Sequence, residues 1–373
     1  MANLFFRTSI APYRIDTYNA LHERLGCMMC FYHTFDSSQK LNEEGMRKEC
    51  KFTPRYLKSI TFGSGETRKF CTEVWSLLRS NKPNVVIVPE YQLLTIQVLI
   101  YKFLFRKRFK VISMCDDSYD MVNNDHDFTI IHKWARKLIA PLVDDILLVD
   151  SRVRDWYQEN YKKGIWLPIV RDEKKEIPNY ERSLPISNKY KEKFNLTGKK
   201  VLLFVGRFVD VKNLDNFFKA LNNTKEDFVT VMVGSGELEE QLREMSKGIN
   251  KEIIFAGHYV DDGVRAWYNV ADVFVLPSKQ EAYGAVTNEA LIAGNHSVIS
   301  ENAGSACLIT PENGCLVNPY DLDGMAAAID KSMRKVKHKD ICIVKDNLMP
   351  FLFDDIINKV ITEINKVQNC KLY

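Results

Sequence analysis

Two glutamates separated by seven residues are the best placed residues in this chain to take part in chemistry. Glu281 and Glu289 follow an apolar, strand-like run at residues 273–277, and Gly284 stands between them. A helix beginning near Gly284 would direct free backbone N–H groups and its positive dipole end at a ligand above the strand, which suits a phosphate. Glu289 could accept hydrogen bonds from a diol such as a ribose, with Glu281 facing the other end of the ligand. The alternative is an ordinary amphipathic helix with two solvated glutamates.

A pair of cations lies upstream in a related position. The apolar run 201–205 ends in Gly206 and Arg207, and Lys212 precedes a helical pattern. Arg207 can bind two oxygen atoms at once, while Lys212 is a compact point charge. At the carboxyl end of a strand and beside a helix N-terminus, the two could neutralise a diphosphate. The alternative is a pair of surface cations near a turn.

In their order and spacing these motifs resemble those of the retaining glycosyltransferases of family 4, also described as glycosyl transferases group 1, which have the GT-B fold. The resemblance covers the second half of the chain and, more weakly, the first. It implies transfer of a hexose from a nucleotide-diphosphate sugar to a hydroxyl group, with retention at the anomeric carbon. It implies catalytic roles for Arg207, Lys212 and Glu281. The leaving phosphate would take the acceptor proton, so neither a protein base nor a cofactor is expected.

The resemblance also assigns a set of donor-binding residues. The turn at residues 234–236 resembles the turn that lines the nucleotide pocket, and the full G-x-G-x-x-G fingerprint of nicotinamide binding is absent. The ring of His258 or Tyr259 could stack on the base, and the backbone of residues 283–286 should approach the diphosphate and the sugar. The predicted donor-binding residues are Gly206, Gly234, Ser235, Gly236, His258, Tyr259, Tyr283, Gly284, Ala285, Val286 and Glu289.

The first half of the chain offers candidates for the acceptor site. Asp116 and Asp117 follow an apolar run and could orient an acceptor hydroxyl, or could cap the next helix. Being adjacent, they are not the spaced Asp-x-Asp pair that holds a metal ion, and no metal is expected. His132 is an alternative to His126 as a sugar-contacting histidine. The candidate acceptor or cleft residues are Pro12, Tyr13, Arg14, Asp116, Asp117 and His126.

Composition and charge indicate the class of protein. The 373 residues are 46% hydrophobic and 27% charged, as in soluble globular proteins, with nine cysteines and no run of about 20 apolar residues. We expect a cytoplasmic protein without a signal peptide, which could associate with the inner face of the membrane. The basic, aromatic segment from Tyr101 to Lys110 could contact an anionic membrane or a lipid-linked glycan acceptor; the alternative is a solvated helix end. The modest net charge of +4 argues against nucleic-acid binding.

Short apolar runs alternate with helical patterns, which predicts an α/β protein with parallel sheets. We expect a GT-B architecture of two Rossmann-like, doubly wound domains facing across a cleft. Residues 1–170 would form an acceptor-binding domain, with a helix at about 350–373 packing back on it. Residues 171–198, with two prolines, would form a linker, and residues 199–349 the nucleotide-sugar-binding domain. Alternative functions are a sugar-nucleotide epimerase of this fold or a non-catalytic sugar-nucleotide-binding partner. The donor base and sugar, the acceptor and the oligomeric state stay open.

Overall fold

The computed structural model describes residues 2–33, 43–61, 69–123, 130–338 and 341–369. The chain divides into two α/β units. Unit 1 comprises Met1–Asp117, Met121–Arg171 and Phe353–Tyr373, and unit 2 comprises Ser118–Asp120 and Asp172–Leu352.

The strands are numbered in chain order over the described residues. They are β1 (Asn3–Arg7), β2 (Cys27–Phe31), β3 (Arg55–Tyr56), β4 (Ser59–Thr61), β5 (Lys69–Cys71), β6 (Val85–Pro89), β7 (Lys110–Cys115), β8 (Asp145–Leu148), β9 (Ile165–Trp166), β10 (Val201–Val205), β11 (Val229–Val233), β12 (Ile253–Gly257), β13 (Val273–Leu276), β14 (His296–Ser300) and β15 (Gly314–Val317).

The α-helices are numbered in the same way. They are α1 (Ile15–Leu25), α2 (Glu43–Glu49), α3 (Val74–Asn81), α4 (Leu93–Leu104), α5 (Tyr119–Asn123), α6 (Ile130–Ile139), α7 (Ser151–Tyr161), α8 (Glu173–Lys193), α9 (Leu214–Leu221), α10 (Glu239–Ser246), α11 (Asp262–Val270), α12 (Val286–Ile292), α13 (Leu322–Lys335) and α14 (Phe353–Asn369).

Unit 1 is built on a parallel sheet of order β3-β2-β1-β6-β7-β8-β9, beside an antiparallel pair, β4-β5. Every residue of β6 and β7 is buried. Central strands covered by helices on both faces are apolar along their whole length, which explains the run of valines and isoleucines in these two strands. Helix α14 belongs to this unit, and Arg24 on α1 binds the side chains of Asp354 and Asn358 on α14.

Unit 2 is built on a parallel sheet of order β12-β11-β10-β13-β14-β15. The chain adds strands on one side of β10 as far as β12 and then crosses over, so that β13 lies on the other side of β10. This is the Rossmann arrangement, whose ligand crevice lies where the strand order reverses. The core contains the large buried side chains Phe204, Phe217, Trp267 and Phe274.

The predicted linker is wrong. Most of residues 171–198 form the 21-residue helix α8, which contains Pro178 and Pro185 and belongs to unit 2. Each internal proline costs a backbone hydrogen bond, about 3 kcal/mol in an isolated helix. Packing offsets this cost, because Tyr180, Ser183 and further residues at helical spacing are buried against the rest of unit 2.

The side chain of Asn269 on α11 fixes the seam between α11 and α8. Its amide donates to the carbonyl of Tyr180 at 2.9 Å and to the hydroxyls of Ser183 at 2.9 Å and Ser187 at 3.3 Å. These buried contacts explain why an α8 sequence of high polarity folds as a helix.

Two further features concern the cysteines and the apolar character of the helices. The eight cysteines within the described residues carry free thiols. Among the helices described, none combines the length and the apolar character needed to cross a bilayer.

Candidate functional site

The loops that follow β10 and β13 meet at the carboxyl edge of the unit 2 sheet. The N–H of Lys279 donates to the carbonyl of Val211 at 2.9 Å. The buried side chain of Asn213 donates to the carbonyls of Pro277 at 3.1 Å and Pro319 at 2.7 Å. Asn213 thereby ties the loop after β10 to the loops after β13 and β15. Sequence reasoning did not give it a role, although its position beside Lys212 at a predicted helix start marked the turn.

Lys212 and Glu281, predicted as catalytic residues, form an ion pair across this edge. Their side chains are 14% and 18% exposed, so the pair is partly shielded from water. Arg207 differs, because it is exposed and its side chain contacts no acidic group in the part of the chain that the structure describes. The site therefore presents one cation that is already held in place and one that is available to an anion.

Glu289 is held in place by a tyrosine that sequence reasoning missed. The hydroxyl of Tyr268 on α11 donates to the Glu289 carboxylate at 3.0 Å. Burial, and then the neighbouring carboxylate, raises the pKa of Tyr268 well above its ordinary value, so the phenol stays protonated and remains a donor. A buried tyrosine hydroxyl needs a hydrogen-bond partner. This requirement was the one signal that could have pointed to Tyr268. The hydroxyl of Tyr180 also donates to the backbone carbonyl of Glu289 at 2.9 Å.

The turn before α12 has the backbone geometry of an anion site. Gly284 has φ +87°, and a Cβ there would lie 2.7 Å from Leu276, so this position requires glycine. Helix α12 begins at Val286 without a side-chain cap. Within the described residues, the N–H groups of Gly284, Ala285 and Val286 donate to no other group. Such N–H groups at a helix start attract anions.

A third loop, which follows β14, braces this turn. The N–H of Ser305 donates to the carbonyl of the buried Tyr283 at 2.7 Å, and its hydroxyl lies 2.9 Å from that of Thr287. A Cβ on Gly304 would lie 2.3 Å from the carbonyl of Ala282, so a larger residue would separate the two loops. The loop after β14 therefore holds the turn from Glu281 to Val286 in place.

The predicted Gly234-Ser235-Gly236 turn packs against the loop after β10. A Cβ on Gly234 would lie 1.9 Å from the carbonyl oxygen of Gly206, and one on Gly236 would lie 2.3 Å from that of Phe208. The N–H of Phe208 donates to the carbonyl of Ser235 at 2.9 Å. The two glycines are thus explained by contact within the chain, and that contact brings the turn beside Arg207.

The two candidates for base stacking lie after the edge strand β12. That strand is two positions from β10, about 10 Å away. The ring of Tyr259 packs in an aromatic cluster, with its centroid 5.3 Å from that of Tyr190 and 6.0 Å from that of Trp267. His258 is exposed. Of the two side chains, His258 is therefore the freer to meet a ligand.

In unit 1, Asp116 lies between two arginines at the carboxyl edge of the sheet. Its carboxylate contacts Arg7 at 2.7 Å and the fully buried Arg14 at 2.5 Å. Burial alone would raise the pKa of Asp116, but Arg14 and Arg7 together lower it. Arg14 closes the one-turn helix that begins at Pro12, and burial followed by Asp116 raises the pKa of Tyr13. Within the described residues Nε and Nη1 of Arg14 are buried without a partner.

Asp117 belongs to a separate cluster. Its carboxylate, that of Glu90 and the thiol of Cys115 have ligand atoms within 4.8 Å of one another, and His132 Nε2 lies 3.0 Å from Glu90. Of the described residues, Glu90, Cys115 and Asp117 alone have the composition and spacing to hold a metal ion. Burial and then Glu90 raise the pKa of Asp117 to about 8. A proton on Asp117 can therefore relieve the repulsion between the carboxylates. His126 lies outside the described residues.

Known proteins resemble this chain in sequence. Residues 199–335 match a family described as glycosyl transferases group 1. An uncharacterized glycosyltransferase of Methanocaldococcus jannaschii is 30% identical over 158 residues, 41% of this chain and 38% of its own length. The UDP-Gal:alpha-D-GlcNAc-diphosphoundecaprenol alpha-1,3-galactosyltransferase of Escherichia coli is 28% identical over 256 residues, 64% of this chain and 61% of its own. The chain thus spans less than two thirds of the length of these curated relatives.

Solved structures resemble it more completely. HepE of Anabaena, solved in complex with UDP, superposes with a TM-score of 0.72 at 13% identity, covering 98% of this chain and 99% of its own. The lipopolysaccharide outer core galactosyltransferase WaaB superposes with a TM-score of 0.66 at 16% identity over the full length of both chains. At these identities the likeness shows the fold. The two parallel-sheet units are those of the GT-B fold, so the predicted fold class is confirmed.

The opposite electrostatics of the two aspartates give a prediction for stability. The folded pKa of Asp117, about 8, lies above its unfolded value, so the stability it contributes is full below about pH 4 and is lost as the pH rises through 8. In the Asp117→Asn variant the side chain at this position is uncharged at every pH. Urea denaturation between pH 5 and 8 should show the variant gaining stability relative to wild type, by up to about 1 kcal/mol per pH unit.

Asp116→Asn is the matched control. It leaves Arg14 buried without its carboxylate, so it should lose stability at every pH in that range, by about 3 kcal/mol. If the difference between Asp117→Asn and wild type did not change with pH, the assignment of a protonated Asp117 would be wrong.

Proposed function

We propose that the protein is a retaining glycosyltransferase that moves a hexose from a UDP-sugar to a hydroxyl acceptor. One observation carries the proposal. At the reversal point of the unit 2 sheet, the chain gathers the exposed Arg207, the Lys212–Glu281 pair, Glu289 and the unpaired N–H groups that precede α12. All of these residues lie in the part of the chain that matches the group 1 glycosyltransferases. Together they provide donors for a diphosphate and an acceptor for a diol.

The choice of UDP rests on the relatives. HepE was solved with UDP and with UDP-glucose, and the E. coli relative is named for UDP-Gal. In this proposal the diphosphate lies against Arg207, Lys212 and the start of α12, and the ribose hydroxyls bind Glu289. His258 is placed to contact the base.

Bond cleavage leaves negative charge on the diphosphate, and this charge is what the site stabilises. Arg207 provides two donors in a fixed plane. Lys212 is already positioned by Glu281, so little reorganisation is needed when the charge develops. The bond from the anomeric carbon to the diphosphate breaks, and the bond to the acceptor oxygen forms on the same face of the sugar. The acceptor proton passes to the leaving phosphate oxygen, and no resident metal ion is required.

The acceptor is proposed to be a lipid-linked glycan of bacterial surface polysaccharide assembly, met at the cytoplasmic face of the membrane. The names of the E. coli and WaaB relatives support this class of pathway. Within the segment from Tyr101 to Lys110, the cations Arg106, Lys107 and Arg108 are exposed, as a membrane contact requires.

Removing either cation should slow the release of UDP from a UDP-sugar that the protein hydrolyses. Arg207→Ala should lower kcat by tenfold or more, since one preorganised donor typically contributes about 3 kcal/mol. Lys212→Ala should cost more, because it also leaves Glu281 unpaired beside the diphosphate. The exposed Arg334→Ala and Lys247→Ala are the matched controls and should keep wild-type rates. Rates near wild type in both site variants would remove these residues from the site.

The contact between Tyr268 and Glu289 gives a second kinetic prediction. Tyr268→Phe keeps the ring in the core but removes the hydroxyl that orients the carboxylate. It should raise KM for the donor by about three- to tenfold, the effect of about 1 kcal/mol, while kcat changes little. Steady-state kinetics, with Tyr161→Phe in unit 1 as the control, measure this difference. A fall in kcat at unchanged KM would contradict a role in holding the donor.

A further inference from the structure

Helix α6 in unit 1 turns an apolar face to solvent. Ile130, Ile131, Trp134 and Leu138 are 74%, 74%, 58% and 62% exposed. Their spacing of one, four and eight residues places them on one side of the helix, whereas the buried Ile139 lies on the opposite side. An amphipathic helix normally turns its apolar stripe towards the core. In α6 the apolar stripe faces away from the core, so it can contact an apolar phase outside the protein.

Strong contacts fix the orientation of this helix. Arg136, buried on the inner side, lies over the ring of Trp156 with its guanidinium carbon 4.9 Å from the centroid. After the helix, the ammonium of Lys163 donates to the carbonyls of Ala140 at 2.9 Å, Pro141 at 2.7 Å and Val143 at 2.6 Å. The outward face is thus held in a defined direction.

Cations border the apolar face. Lys133 and Lys137 lie along one edge of it, and the Lys137 ammonium is 5.6 Å from the centroid of the Trp134 ring. The end of α4 continues the same character, with Phe103, Leu104 and Phe105 exposed and followed by three exposed cations.

The two segments are neighbours in space. A groove of about 650 Å³ is lined by Phe103, Arg106, Lys107 and Arg108 from the end of α4 and by Leu142 from the turn after α6. The exposed end of α4 therefore lies next to the turn that follows α6. We call residues 103–108 together with α6 the docking surface.

We propose that α6 inserts its apolar face into the interface of an anionic lipid bilayer, with the cations of the docking surface on the lipid phosphates. An interfacial helix needs an apolar face about one side-chain layer deep and basic residues at its border, and α6 has both. Each cation near such a surface adds to the attraction. This binding needs no sugar nucleotide, so it stands apart from the proposed transfer reaction.

The charge on the docking surface favours lipid over a second copy of the chain. A twofold contact through α6 would bring the same lysines and arginines of both copies together. Like charges close together in a desolvated contact are unfavourable. An anionic bilayer offers the complementary charge and an apolar phase at once.

The test is co-sedimentation of the full chain with vesicles of phosphatidylcholine, with and without about 30 mol% phosphatidylglycerol, an anionic lipid that attracts basic segments. The wild type should bind the anionic vesicles. Ile131→Ser with Leu138→Ser should lower the partition coefficient at least tenfold. The matched control, Ile341→Ser with Leu316→Ser, changes the same residue types at 70% and 48% exposure in unit 2 and should bind as wild type. Equal thermal melting of all three proteins would confirm folding.

Each other result overturns the proposal. Wild-type binding by the α6 variant would mean that α6 does not insert, and equal loss in the control would mean that its face has no special role. A wild type that ignores anionic vesicles but forms a dimer that the α6 variant loses would identify a protein interface. Quenching by bromine-labelled acyl chains should also fall in Trp134→Phe, and unchanged quenching would place Trp134 outside the bilayer.

Discussion

The position of β13 beside β10 in unit 2 determines where the candidate donor residues lie. Strands β11 and β12 separate these two strands in the sequence, and the chain must cross over the sheet to pair them. Because the loops after β10 and β13 then leave the same edge in opposite directions, a crevice opens between them. The crossover alone brings Arg207, Lys212, Glu281 and Glu289 into one region.

Close backbone packing keeps that region rigid. The loop after β11 can lie against the loop after β10 only because Gly234 and Gly236 lack side chains, and Gly304 allows the same approach of the loop after β14 to the turn before α12. The charged pair of Lys212 and Glu281 then forms between loops that are already fixed. A site assembled in this way meets a developing charge with little rearrangement, which is the main requirement for electrostatic catalysis.

The sequence was most informative where the local pattern was unambiguous. The structure places β10 and β13 at the residues predicted from their apolar runs. The turns and cations next in the sequence therefore lie at the ends of these strands. The helix α8 could not be predicted, because two prolines argue against a helix and the packing that offsets them involves Asn269, 82 to 89 residues away. Asp116 and Asp117 are adjacent in sequence but join different clusters, since their partners, Arg14 and Glu90, are set by the tertiary fold.

In the function proposed here, the unit 2 crevice holds a nucleoside diphosphate through Arg207. Calorimetric titration of the wild type and of Arg207→Ala with UDP and with uridine tests it most directly. We predict that the wild type binds UDP much more tightly than uridine and that this difference shrinks in the variant, while uridine binding is unchanged. Equal affinity of both proteins for UDP, or no binding of UDP by the wild type, would contradict it.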